Sequence, residues 1–136
     1  MAAALSIEPL SKAVLRLREG LERYQRDTSD LQVRDGLVQR FEFTYELSHK
    51  LLKRYLERAS ANPDEIDQMP FADQIRTAAE QGLLRSGWPE WRSFREMRGA
   101  TSHAYDETVA LKVVAGIPEF LEEAAFLLSR LEQRIR

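Results

Sequence analysis

The stretch FREMRGATSHAYDE, Phe94 to Glu107, carries Arg98, His103 and Tyr105 in the order R-x-x-x-x-H-x-Y, with one of the chain's two histidines. An imidazole with an ordinary pKa near 6.5 takes or gives a proton at neutral pH. A guanidinium stays charged and holds two phosphate oxygens at once. Together they suit cleavage of RNA by its own 2′-hydroxyl, with His103 as general base or acid and Arg98 stabilising the charge that develops, without a metal. Two copies of the pair across a dimer seam would make a fuller site than one. The residues alone leave a second reading open, in which Arg98 ends a helix, Gly99 supplies a left-handed cap and Ala100 to His103 form a connecting turn. Tyr105 is either a packing tyrosine that tethers this turn by its hydroxyl or an exposed one open to modification.

A second constellation, RDGLVQRFEFTYEL from Arg34 to Leu47, interleaves Arg34, Asp35, Arg40, Glu42 and Glu46 with a dense aromatic run. Core positions alternating with surface ion pairs account for it. Glu42 and Glu46 lie one turn apart on one helical face, but no histidine stands at a metal-binding offset. The chain has no cysteine, which excludes disulfides and thiol chemistry, and its two histidines are far apart, so no metal site and no cofactor are expected. His49 reads as a partly solvated packing residue.

The elements that must position these residues are helical throughout. Ile7, Leu10, Val14, Leu17, Leu21 and Tyr24 step by three and four, with Ser6 as the expected N-cap, Pro9 in the first turn and QRDTSD as the stop. The longest helix is expected from Leu31 to Ala59. It has one seam of Leu37, Phe41, Tyr45, Ser48, Leu52 and Tyr55 and a second of Phe43, Leu47 and Leu51, the mark of a helix packed on two sides. Asn62 is the expected cap of a short helical turn with Pro63 at its first position, and Pro70 restarts a helix through Phe71, Ile75, Ala79 and Leu83 that stops near Gly82. RSGWPEW opens another short helix that buries Trp91, Phe94 and Met97. The last helix runs from Glu107 to Arg134 with a seam of Ile117, Leu121, Ala124, Leu128, Leu131 and Ile135. Gly116 and Pro118 are expected to interrupt and kink it.

The 136 residues form a single domain, 1–136, of all-α class: an up-and-down bundle of four main helices with one or two short ones. A net charge of −2 spread over both signs excludes a sequence-indifferent nucleic-acid coat but not a compact site for one or two phosphates. No apolar run approaches the roughly 20 residues of a membrane span, and the start MAAALSIEPL lacks a signal peptide's pattern. The expected protein touches no membrane and is cytoplasmic.

RDGLVQRFEFTYELSHKLLKRYL followed by MRGATSHAYDE, with AAEQGLL between them, resembles the HEPN-fold family, and within it the branch of nucleotidyltransferase substrate-binding proteins. The resemblance covers nearly the whole chain. It implies a HEPN bundle paired as a homodimer with the Arg–His motifs facing a common cleft, and a minimal nucleotidyltransferase as partner. In some relatives the HEPN protein is a toxin, a metal-independent endoribonuclease acting on single-stranded RNA, and the partner is the antitoxin that adenylylates the motif tyrosine. On this sequence Arg98 and His103 become the catalytic pair and Tyr105 the AMP acceptor. The alternative is a non-catalytic substrate-binding subunit of the nucleotidyltransferase. Gly99 departs from the pattern, since a polar residue commonly follows the motif arginine. The dimer seam is expected on the long second helix or the last one.

Overall fold

A computed structural model describes residues 5–135; the reading of the chain's first residues falls in part on residues 1–4, outside the described ones. The described residues form α1 (Glu8–Arg26), α2 (Leu31–Ala59), α3 (Pro63–Gln68), α4 (Phe71–Glu80), α5 (Trp88–Ala100), a 3-10 turn (Thr101–His103) and α6 (Glu107–Arg134), and they include no strand. No helix among them is long and apolar enough to cross a membrane.

Four helices make the bundle. Thr44 donates from Oγ1 to the carbonyl of Ala13 and Arg40 to that of Arg16, so α2 runs back along α1. Phe94 meets Phe120 and Met97 meets Gly116, so α6 runs back along α5. The resulting order α1, α2, α5, α6 is up-down-up-down, and α3 with α4 fills the connection from α2 to α5. The segment after RSG, read from sequence as another short helix, is thus the third pillar of the bundle. The helix after Pro70 is the shorter element.

Local chemistry sets most boundaries. Asp30 caps α2 by accepting from the backbone N–H of Val33, and Asp106 caps α6 by accepting from that of Val109. Glu90 folds back on the N–H of Gly87 at the start of α5. Two expected caps are corrected. Ile7, not Ser6, holds the N-cap of α1, and Asn62 stands at the N-cap of α3 without using its side chain.

Phe41, Tyr45, Trp91, Phe94 and Phe120 form the centre of the core as tilted and edge-to-face rings. Each such pair contributes about 0.5–1.5 kcal/mol beyond its buried area. Trp91 brings a polar N–H inside, which Glu123 accepts at 2.7 Å. Glu123 is 1% exposed and also accepts from the backbone of Arg85 and Ser86 and from the Ser86 hydroxyl. A buried carboxylate with that many donors is satisfied, and it anchors the turn that launches α5.

Three breaker readings are overturned. Gly99 is not a left-handed cap: α5 continues through it to Ala100, and Gly82 is the described glycine with positive φ, 77°, where α4 stops. Gly116 and Pro118 do not interrupt α6, which is continuous from Glu107 to Arg134. Pro118 withholds only one backbone donor, and the helices packed on α6 hold the rest in place. Gly116 serves the packing instead, since a Cβ there would lie 2.5 Å from the Met97 sulfur. The second α2 seam is also only partly apolar in use. Leu51 is buried, Leu47 is half-buried and Phe43 is 52% exposed. On α4 and α6, Ala78 and Leu127 take the fully buried places expected for Ala79 and Leu128.

Candidate active site

Arg98 lies in the last turn of α5, so its side chain leaves near the helix's negative end, a favourable place for a cation. The guanidinium turns toward α2. Nε donates to Glu46 Oε1 at 3.1 Å, Nη2 donates to the same oxygen, and Nη1 donates to Thr101 Oγ1 at 3.1 Å. Glu42 Oε2 stands 4.0 Å from Nη2. The buried Thr101 hydroxyl donates in turn to the Arg98 carbonyl at 2.7 Å, which closes the end of α5 on itself. The Glu46 carboxylate first, and Glu42 behind it, push the Arg98 pKa above its already high ordinary value, against the opposing effect of burial. Arg98 is therefore a fixed, permanently charged fork aimed by two acceptors.

The 3-10 turn then carries the chain to His103, whose ring is exposed. Its nearest aromatic neighbour is Tyr105, with ring centres 6.2 Å apart. Tyr105 is 86% exposed. The packing-tyrosine reading is thereby set aside, because the ring lies out in solvent. No hydrogen bond among the described residues joins Arg98, His103 and Tyr105 to one another. They follow one another over the last turn of α5 and the turn after it, at one end of the bundle.

That turn is fastened on its far side as well. Arg34, 5% exposed at the start of α2, donates to Glu107 Oε1 at 2.8 Å in the first turn of α6. The bond holds the Glu107 carboxyl below its ordinary pKa and raises that of Arg34. Thr101 and Arg98 thus grip the turn at one end, and Arg34 and Asp106 at the other. Sequence reasoning placed Arg34 among surface ion pairs and did not connect Glu46 with Arg98. Fifty-two residues separate the latter two, and no local spacing reports such a contact.

The remaining titratable groups nearby are structural. Burial in the aromatic core pushes Tyr45 up to about 12, so it stays a neutral phenol. His49 packs edge-on against Phe71 at 4.4 Å with Gln74 Oε1 3.3 Å from its Nε2, and burial lowers its pKa. It lies in the core wall, as its sequence position implied. Arg95, exposed one turn before Arg98, stands 5.4 Å over the Phe71 ring and leaves a second cation on this end of the molecule.

Comparison with known proteins bears on the same residues. A family model described as nucleotidyltransferase substrate binding protein like matches residues 5–133. A protein of Haemophilus influenzae named probable ribonuclease HepT is 44% identical over 99 residues, which cover 73% of this chain and 67% of that one. A solved Haemophilus influenzae structure, reported to reveal the fold of a substrate binding domain of a nucleotidyltransferase, matches with a TM-score of 0.87 and 35% identity over 93% of this chain and 99% of that chain.

Proposed function

The chain belongs to the nucleotidyltransferase substrate binding protein like family, within the HEPN fold, and on that premise we propose that it is a metal-independent endoribonuclease acting as a homodimer. The observation that carries the proposal is the Arg98 fork, held in place by Glu46 and Thr101, followed by an exposed His103 on a turn fastened at both ends. In the reaction the 2′-hydroxyl of the RNA attacks the neighbouring phosphorus and the bond to the 5′-oxygen breaks. The products are a 2′,3′-cyclic phosphate and a free 5′-hydroxyl. His103 takes the 2′ proton, and the partner subunit's His103, protonated, supplies the proton that the leaving oxygen needs. Arg98 holds the non-bridging oxygens as charge builds on them.

Tyr105 is the site at which a partner minimal nucleotidyltransferase acts. Its exposed hydroxyl attacks the α-phosphorus of ATP and pyrophosphate leaves. The AMP so attached adds roughly one negative charge near Arg98, which repels an incoming RNA phosphate, while its adenosine fills the approach. Such a pair would work as a toxin and its antitoxin.

One observation favours a second reading, a non-catalytic subunit that presents substrate to the nucleotidyltransferase. The Arg98 fork is already filled by protein acceptors, and Gly99 offers no side chain to help displace them. RNA cleavage by the purified, unmodified protein in chelator separates the two. Cleavage that falls at least about a hundredfold in His103→Ala, the usual scale of a general acid–base group, establishes the ribonuclease. Equal cleavage by parent and variant refutes it, and no cleavage by folded, unmodified parent across varied RNAs leaves the presenting subunit.

A further inference from the structure

Beside Arg98 the surface holds a groove of about 340 Å³, lined by Asp35, Val38, Gln39 and Glu42 of α2 and by Thr101, Ala104 and Tyr105. We propose that this groove is a nucleobase subsite that selects bases bearing an exocyclic amine over uracil. The proposal rests on the ribonuclease reading and names the part of the substrate that reading leaves unassigned.

Four observations point the same way. The floor is apolar, made by buried Val38 and half-buried Ala104, which suits the face of a planar ring. Tyr105 stands exposed at the rim, where an RNA base can stack on its ring, as single-stranded RNA commonly does on aromatic side chains. Residues 35, 39 and 42 fall on one face of α2 and bring two carboxylates and an amide to the same wall. Among the described residues no cationic side chain lines the groove, so it rejects a phosphate, which goes to Arg98 instead. Glu42 belongs to both places: it lines the groove and stands 4.0 Å from Arg98 Nη2. Phosphate and base sites are therefore neighbours, as successive parts of one nucleotide require.

Selectivity follows from donor and acceptor counts. The carboxylates of Asp35 and Glu42 only accept, so they favour the amino groups of adenine, cytosine and guanine. Gln39 offers a donor and an acceptor together, the pair that adenine's amino edge matches. Uracil presents one N–H between two carbonyl oxygens, and the carboxylates repel those oxygens.

Titration of the unmodified, isotope-labelled full chain with 5′-AMP, CMP, GMP and UMP, followed by amide NMR, tests the assignment. The three amino-bearing nucleotides should shift Asp35, Gln39, Ala104 and Tyr105 and bind roughly five- to tenfold more tightly than UMP. A double variant Asp35→Asn, Gln39→Ala should lose that preference and keep the weaker, phosphate-driven binding. Equal affinity for all four, or shifts confined to the surroundings of Arg98, overturns the proposal. So does burial of the groove by a second copy, seen as shifts at Asp35, Gln39, Ala104 and Tyr105 that follow protein concentration without ligand. His103→Ala keeps the base preference while removing cleavage. Base preference without any His103-dependent cleavage therefore refutes the ribonuclease alone, and cleavage without base preference refutes the groove alone.

Discussion

Arg98 meets protein acceptors with all three guanidinium nitrogens, and the most demanding of them is Glu46. One Glu46 carboxylate oxygen accepts from both Nε and Nη2, as a phosphate oxygen can. On the ribonuclease reading, Glu46 both aims the guanidinium and occupies the place an RNA phosphate would take. The pair is partly exposed, so its contribution to stability is small, within about 1 kcal/mol. Its contribution to binding is of the same size and opposite in sense, because the substrate must displace it. Glu46→Gln should leave thermal unfolding almost unchanged and lower the KM for RNA about two- to fivefold, an exposed ion pair's worth of free energy. Steady-state cleavage kinetics with a labelled oligonucleotide check this. An unchanged or higher KM would mean that Glu46 serves to orient Arg98 and does not compete with substrate.

At the scale of the elements, the last turn of α5 determines where the site residues point. Gly99 sits inside that turn with helical backbone, and a Cβ built on it meets nothing within 4 Å. Glycine in a helix costs up to about 1 kcal/mol relative to alanine. Gly99→Ala should accordingly stabilise the protein by roughly 0.5–1 kcal/mol in urea denaturation, with cleavage retained. Destabilisation would show that the end of α5 must unwind for the fold or its assembly. The same turn marks the limit of what the sequence discloses. Helix periodicity located every main element because apolar spacing is a local property: Leu31 to Ala59 and Glu107 to Arg134 are bounded as read. Glycine and proline misled at residues 99, 116 and 118, because helical continuity there is decided by neighbouring helices. Arg98, His103 and Tyr105 were legible as types at a spacing. Glu46, Thr101 and the Arg34–Glu107 clamp were not, since the two long-range pairs join helices far apart in the chain and Thr101 reads as ordinary turn chemistry.

For the whole molecule, the same ribonuclease reading requires one Arg–His pair to become a site able to both take and give a proton. A homodimer meets that requirement if the seam lies beside the motif. α2 offers such a seam. Phe43, 52% exposed, stands next to Glu42 and three residues before Glu46, the two carboxylates around Arg98. A large apolar ring left in solvent among charged neighbours suits burial against its own symmetry mate. A two-fold axis near Phe43 would bring both Arg98 forks toward a common cleft. Phe43→Arg places like charges across that axis without touching the core, so the monomer fold should survive with an unchanged circular dichroism spectrum. Sedimentation should show a dimer for the parent and a monomer for the variant at about micromolar concentration, and cleavage should fall with the dimer. A variant that is monomeric yet cleaves at the parent's rate would assign both proton transfers to a single chain. A variant that remains dimeric would move the seam elsewhere, with the exposed Leu111 on α6 as the next position to test.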